Sequence, residues 1–180
     1  MERFRSGNGA AWLDLLSTLA GRYRDAQVDD IGTAESLRAW LREFDLEPAG
    51  AVTAGDVARA AETRETLHRL AVAAVKGDRP PPSDVRRLNA VLEREEGLQV
   101  SGGDAGLRPR RPSSADQSLA RLARQAVADL SGRGTGTLRA CGDDTCSSIF
   151  LDLTGRRRWC TDLSCGNRNR VRAHRRRSGA

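Results

Sequence analysis

The amino-acid sequence predicts a mainly α chain in two parts: a helical domain over residues 8–131 and a short module over 138–180, joined by a linker at 132–137. Three observations lead there. Apolar side chains recur at helical spacing behind capping residues through most of residues 10–131. All four cysteines fall between 141 and 165, and the whole surplus of positive charge lies beyond residue 137. The 180 residues are 38% apolar, and no apolar run approaches the ~20 residues that span a bilayer, so the chain reads as globular rather than membrane-embedded or disordered. The charged start at Met1–Ser6, and the Asp14 that breaks Ala10–Leu16, do not make an export signal. A cytoplasmic protein is expected.

In the helical part, Leu37, Trp40, Leu41 and Phe44 keep i, i+3, i+4, i+7 spacing behind a Thr33 cap. Thr53-x-x-Asp56 has the form of a capping box for a long helix carrying Val57, Ala60, Leu67, Leu70, Ala71 and Val75, stopped by Gly77. Asp78-Arg-Pro-Pro-Pro is a rigid break, after which Ser83 is expected to cap a helix with Val85, Leu88 and Leu92 inward. Leu98–Leu107, around Gly102-Gly103, allows a small β-hairpin. Ser114-x-x-Gln117 opens the last helix, whose stripe is Leu119, Leu122, Ala126, Val127 and Leu130, and Gly132-Arg-Gly-Thr-Gly136 is the linker.

This half carries no phosphate loop, dinucleotide fingerprint or nucleophile elbow. His68 is expected to be a surface or hydrogen-bonded side chain rather than a catalytic one. Arg64-Glu65 and Asp14 fit either a ligand pocket or ion pairs tying helices together, and ion pairs are the simpler reading. With two histidines in the chain and none in a catalytic setting, no catalytic residue and no enzymatic activity are expected.

The module has a spacing pattern of its own. Cys141-x4-Cys146, thirteen residues, then Cys160-x4-Cys165 is two paired knuckles around a hairpin-length spacer. Zinc takes four thiolates in a tetrahedron, and each knuckle supplies two from one turn. Two disulfides and four unrelated thiols are the alternatives. The first needs an oxidising compartment, and the second does not explain the clustering. A module near 40 residues with so few large apolar groups needs a metal, disulfides or a partner to be stable, so it is expected to be disordered without the ion. Ile149, Leu151 and Leu153 alternate, Thr154-Gly155 is a turn signal, and Arg156–Trp159 is expected to return as the second strand of a hairpin. The segment after Cys165 reads as a short helix. Knuckle, hairpin, knuckle, helix is a treble-clef-like order, which gives a mainly α fold plus a zinc finger of β-hairpin and helix.

Residues 1–137 are electrically neutral, whereas 138–180 carry ten arginines against Asp143, Asp144, Asp152 and Asp162, the entire net charge of +6. A basic segment stiffened by a metal suits a polyphosphate partner. At 100° per residue Arg168, Arg172 and Arg175 share one helix face with Arg176 beside them; with Arg156, Arg157 and Arg158 they are the expected nucleic-acid contacts. The competing reading is a solvated helix whose arginines offset the −2 charge of a tetrathiolate zinc site, and the alternative function is a zinc-stabilised protein–protein interaction module. One finger offers few base contacts, so a homodimer fits the DNA reading, and a small-molecule effector for the helical domain is allowed.

Cys165-Gly-Asn-Arg168, Cys141-x4-Cys146, Phe150-x-Asp152, the arginine run into Trp159-Cys160 and the basic Val171–Arg177 around His174 together resemble the CGNR zinc-finger family. Upstream, Leu13-Asp14-Leu15 with Thr18, Leu37 through Trp40-Leu41, Arg64-Glu65 and Leu88-Asn89 are similar to the ABATE domain that precedes this finger. Where the finger family tends to read Asp-x-Ser-Arg, this chain has Asp152-Leu-Thr-Gly155. The resemblance implies a bacterial, nucleoid-associated transcription regulator of the stress-induced type. It further implies binding of double-stranded DNA through a module expected to hold one structural Zn2+ on Cys141, Cys146, Cys160 and Cys165.

Overall fold

The chain is described here from a computed structural model that covers residues 4–103, 106–134 and 136–178. The tip of the expected hairpin (104–105) and Thr135 of the expected linker lie outside the described residues. The helical part runs α1 (Ala11–Ser17), β1 (Leu19–Ala20), β2 (Val28–Asp29), α2 (Ala34–Glu43), α3 (Ala54–Lys76), α4 (Pro82–Leu92), β3 (Val100–Gly103), β4 (Gly106–Pro109) and α5 (Ala115–Leu130). The module follows as β5 (Thr137–Ala140), β6 (Ile149–Asp152), one π-helical turn at Asp162–Gly166, and α6 (Asn167–Arg177). About half the chain is helical, and the strands form small antiparallel pairs, β1 with β2, β3 with β4 and β5 with β6.

Local chemistry sets the helix ends. Thr33 accepts from the Ser36 backbone while the Ser36 hydroxyl accepts from Thr33 N at 3.0 Å. Thr53 and Asp56 exchange the same pair of bonds at the head of α3, and Gly77 closes that helix at a φ of 73° that other residues adopt only with strain. Ser114 accepts from Gln117 N, but the Gln117 side chain reaches back one residue further, to Ser113 N at 2.7 Å. Ser83 does not cap α4. The helix starts one residue earlier at Pro82, whose fixed φ suits the first turn, and no side chain caps it.

The core gathers Trp12, Leu13, Leu15 and Leu16 of α1 with Leu37, Trp40 and Leu41 of α2, Leu67 and Ala71 of α3, and Leu119 and Leu122 of α5. Helices α3, α4 and α5 pack on one another, and α1 lies across α3 and α5. Trp12 is fully buried and donates its indole N–H to Asp129 at 2.7 Å, so its one polar atom is satisfied. The short β1–β2 ladder had no counterpart in the sequence reading, because two-residue strands carry no period. It is held from outside: Arg64 on α3 donates to both Asp29 oxygens at 2.8 Å and to Thr18 Oγ1.

The hairpin of the module differs from the one the sequence suggests. Strand β6 pairs with β5, upstream of the first knuckle, in the register Thr137↔Asp152 to Ala140↔Ile149, so Cys141 and Cys146 lie in the connection between the strands. The segment 156–159 forms no strand. Asp152 accepts from the backbone N–H groups of Thr154, Gly155 and Arg157, which curls the chain away from a ladder, and only Gly142 N→Arg158 O bridges it back. Leu153, which alternates with Ile149 and Leu151 in the sequence, lies past the end of β6 and is exposed.

Nor is the module coreless. All four residues of β6 are buried, in opposite directions. Ile149 and Leu151 join the core of the helical part, while Phe150 joins the cysteines and Trp159. The N-terminal segment clasps the same strand: Leu151 N donates to Asn8 O at 2.7 Å, and Asn8 is fixed through Asp14 and Ser17. Gly9, at φ 96°, sits where a Cβ would meet Leu151 Cβ at 2.8 Å, so only glycine permits this approach.

Candidate metal centre and basic face

Four elements deliver the cysteines. Cys141 leaves β5, and its N–H donates to Ser148 O, closing the first knuckle across the base of the hairpin. Cys146 precedes β6, Cys160 ends the arginine run, and Cys165 sits in the π-turn whose backbone continues straight into α6. Their sulfurs all lie within 4.8 Å of one another, with Cys146–Cys160 at 3.8 Å and Cys160–Cys165 at 3.5 Å. Zinc–sulfur bonds of about 2.3 Å in a tetrahedron place sulfurs ~3.8 Å apart, whereas a disulfide needs about 2.05 Å. All four cysteines are free thiols, so the disulfide alternative does not describe this cluster. Four thiol donors at this spacing are positioned to bind one metal ion, and the donor set is the one a structural zinc takes. The ion would tie the two knuckles, the hairpin and α6 together and leave no open position for substrate.

The surroundings are built for negative charge on sulfur. Ser148 N donates to Cys146 at 3.5 Å, Cys160 N to Cys141 at 3.4 Å, and the Arg168 guanidinium to Cys165 at 3.0 Å. Hydrogen bonds from Cys141 and Cys160 favour a thiolate at Cys146, while its bond to Cys146 pushes Cys141 up to about 11.

Asp143, inside the first knuckle, is the residue the sequence reading passed over. Its side chain is wholly buried and accepts from Thr145 N (2.9 Å), Thr145 Oγ1 (2.7 Å), Arg168 Nε (2.9 Å), Asn169 Nδ2 (3.0 Å) and Arg172 Nη1 (3.4 Å). Burial alone would raise its pKa, yet the Thr145 bonds and the Arg168 charge hold it down to about 2. One carboxylate therefore fixes α6 against the first knuckle. The turn Asp143-Asp-Thr145, in which an aspartate side chain takes the N–H two residues on, is the local signal that points to it. The glycine of Cys165-Gly-Asn-Arg168 also has a reason: a Cβ on Gly166 would meet Asp162 Oδ1 at 2.7 Å and Trp159 at 3.2 Å.

The seven arginines expected to touch nucleic acid fall into two groups. Arg168 and Arg172 are held by Asp143, and Arg157 donates to the carbonyls of Gly7, Trp159 and Cys160 and lies over the Phe150 ring. Arg156, Arg158, Arg175 and Arg176 are exposed and have no acidic partner among the described residues, although Arg158 stacks on Trp159. His174 is exposed and stands outside the sulfur cluster.

In the helical part, Arg64-Glu65 forms the ion pairs expected of it, Arg64 with Asp29 and Glu65 with Arg22. The same residues line a cavity of about 560 Å³ with Leu19 and Gln27, while Asp14 serves elsewhere, accepting from Asn8. His68 is neither exposed nor fully bonded. It is 6% exposed, its Nε2 has no partner, and burial pushes its pKa down to about 4. It also shares a hydrogen bond with the backbone of Ser147 in the module. No helix among the described residues is long and apolar enough to cross a membrane.

Two family models match the chain. Residues 9–133 match the family model ABATE, described as "Putative stress-induced transcription regulator", and residues 137–178 match the CGNR zinc finger. No curated protein matches the chain.

Proposed function

From the premise that this chain belongs to the ABATE family and ends in a CGNR zinc finger, we propose that it is a zinc-dependent DNA-binding transcription regulator of the cytoplasm. Cys141, Cys146, Cys160 and Cys165 hold one structural zinc, and the module docks on double-stranded DNA. The helical domain senses a small-molecule effector or partner and reports it to the module through the shared strand β6. The chain works as a binding protein without catalytic residues.

The observation that carries this reading is the set of arginines without acidic partners on a frame braced by the cysteines. Of the seven candidates, Arg156, Arg158, Arg175 and Arg176 make the phosphate contacts. Arg157, Arg168 and Arg172 brace the module, and each keeps guanidinium N–H groups for a second partner. Interspersed helix charges on a solvated face would be balanced by nearby carboxylates, as Arg170 is by Asp162 at 3.6 Å, whereas Arg175 and Arg176 on the same helix have no such partner among the described residues.

Fluorescence anisotropy of a labelled duplex across salt tests the reading. Four phosphate contacts predict a slope of log K against log salt near −3.6, or about 150-fold weaker binding from 50 to 200 mM. No binding at low salt by zinc-loaded protein would reject it. Partners that survive nuclease treatment would then favour the protein-interaction alternative.

A further inference from the structure

A second basic feature lies away from α6, where the module meets the helical domain. Between the C-terminal end of α3 and strand β5 runs a cleft of about 450 Å³, lined by Val75, Leu138, Arg139, Gly142, Arg157 and Arg158. Its charge is unbalanced. Arg139 pairs with Asp152 at 3.1 Å, but the Asp152 oxygens are already taken by three backbone N–H groups. The guanidinium of Arg157 donates to neutral carbonyls, with the buried Asp14 also within reach of its charge, and Arg158 stacks on Trp159, 4.7 Å from the ring centre. Among the described residues, three guanidinium groups thus have one paired carboxylate, Asp152, with Asp14 acting on Arg157 from further off. The buried arginines elsewhere do not stand this way: Arg64 has Asp29 and Glu65, and Arg22 has Glu65.

Like charges lining one cleft repel, and an anion among them relieves the repulsion while gaining charge-assisted hydrogen bonds. Gly142 forms a close floor, since a Cβ there would meet Trp159 at 3.1 Å and Arg158 Cγ at 3.2 Å. The opposite wall, Val75 and Leu138, is apolar. The volume lies in the range of small-ligand sites.

We propose that this cleft binds a phosphoryl group, on a ligand of nucleotide size whose apolar part lies against Val75 and Leu138. The site is shared by the two parts of the chain, so its ligand contacts α3 and the module at once. It goes beyond the DNA reading, with which it shares Arg158, and stands apart from it on Arg139 and Arg157.

Zinc-loaded full-length protein titrated with phenyl phosphate and with inorganic phosphate, followed by amide NMR at constant ionic strength, tests this. Saturable shifts at residues 138–142 and 157–158 are expected, with phenyl phosphate several-fold tighter than phosphate. Arg158→Gln should weaken phenyl phosphate about tenfold, the loss of one charged hydrogen bond. Arg139→Gln should do the same, and the Arg175→Gln/Arg176→Gln pair should leave it unchanged. Repeating the titration with bound duplex separates the sources. Competition identifies a nucleic-acid backbone phosphate as the occupant, whereas undiminished binding identifies a free phosphate ester, and both outcomes support the site. Absent or non-saturable shifts, equal affinity for the two probes, or wild-type affinity in both cleft variants would overturn it. Failure to bind DNA with these shifts intact would reject the regulator reading alone.

Discussion

Replacing Asp143 with Asn should lower stability and steepen the salt dependence of DNA binding at the same time. The substitution keeps the volume but removes the buried charge that receives Arg168, Asn169 and Arg172, and it turns an amide donor toward guanidinium groups. Arg168 and Arg172 are 41% and 43% exposed, so water screens much of the pairing and the expected loss is about 1–2 kcal/mol. In a chain of this size that is a fall in Tm of roughly 2–8 °C. Release of both arginines raises the phosphate contacts from four to six, and the salt slope from about −3.6 to about −5.4. Between 50 and 200 mM salt, binding should then weaken about 1,800-fold instead of about 150-fold. Anisotropy on a random-sequence duplex reads the slope, and metal analysis of the same sample confirms one zinc per chain. A variant that is folded and zinc-loaded but keeps the wild-type slope would refute the view that Asp143 restrains these side chains.

Other consequences are open to simpler measurements. Chelation of the metal should unfold the module and also lower the melting temperature of the helical part, seen as lost helical dichroism, because Ile149 and Leu151 belong to both. Cys160→Ser should behave the same way without a chelator. Leu151→Ala, at a site 4% exposed, should cost about 2–5 kcal/mol as measured by urea unfolding monitored through the buried Trp12 and Trp40. His68 titrates near 4 in the folded chain and near 6.5 when unfolded, so the folded state binds fewer protons. Its contribution is fully present above pH 6.5, shrinks as pH falls toward 4, and amounts to about 2 kcal/mol lost by pH 5. Denaturation of wild type against His68→Gln across that window should show a steeper fall in stability with falling pH in the former.

Much of this was legible in the residues. Thr33, Thr53 and Ser114 cap the helices they were expected to cap, and Gly77 ends α3, because these devices act within four residues and need no tertiary help. The cysteines gather as their spacing suggested, since two short knuckles bring four sulfurs together wherever the hairpin goes. Pairing partners were harder to read. Alternation at Ile149, Leu151 and Leu153 shows that a strand has faces, not which neighbour it joins, and Asp152 diverted the expected return. The face of Ile149 and Leu151 was assigned to a small local hairpin when it belongs to a core drawn from residues 4–126. Periodicity on α6 likewise placed Arg168 and Arg172 in one stripe with Arg175 but gave no hint that a carboxylate 25 and 29 residues upstream holds the first two.

Strand β6 has a further consequence for how such a protein is assembled and altered. A linker of glycines suggests interchangeable parts, yet cutting at that point would strip two aliphatic plugs from the larger fragment and open its core to water where α1 meets the strand. Grafting the last forty residues onto an unrelated carrier would equally leave Ile149 and Leu151 facing solvent. The two halves are therefore bound to change in step: a substitution that resizes the socket around Leu151 demands an answering change in the strand, or the sulfur cage it supports loses its alignment.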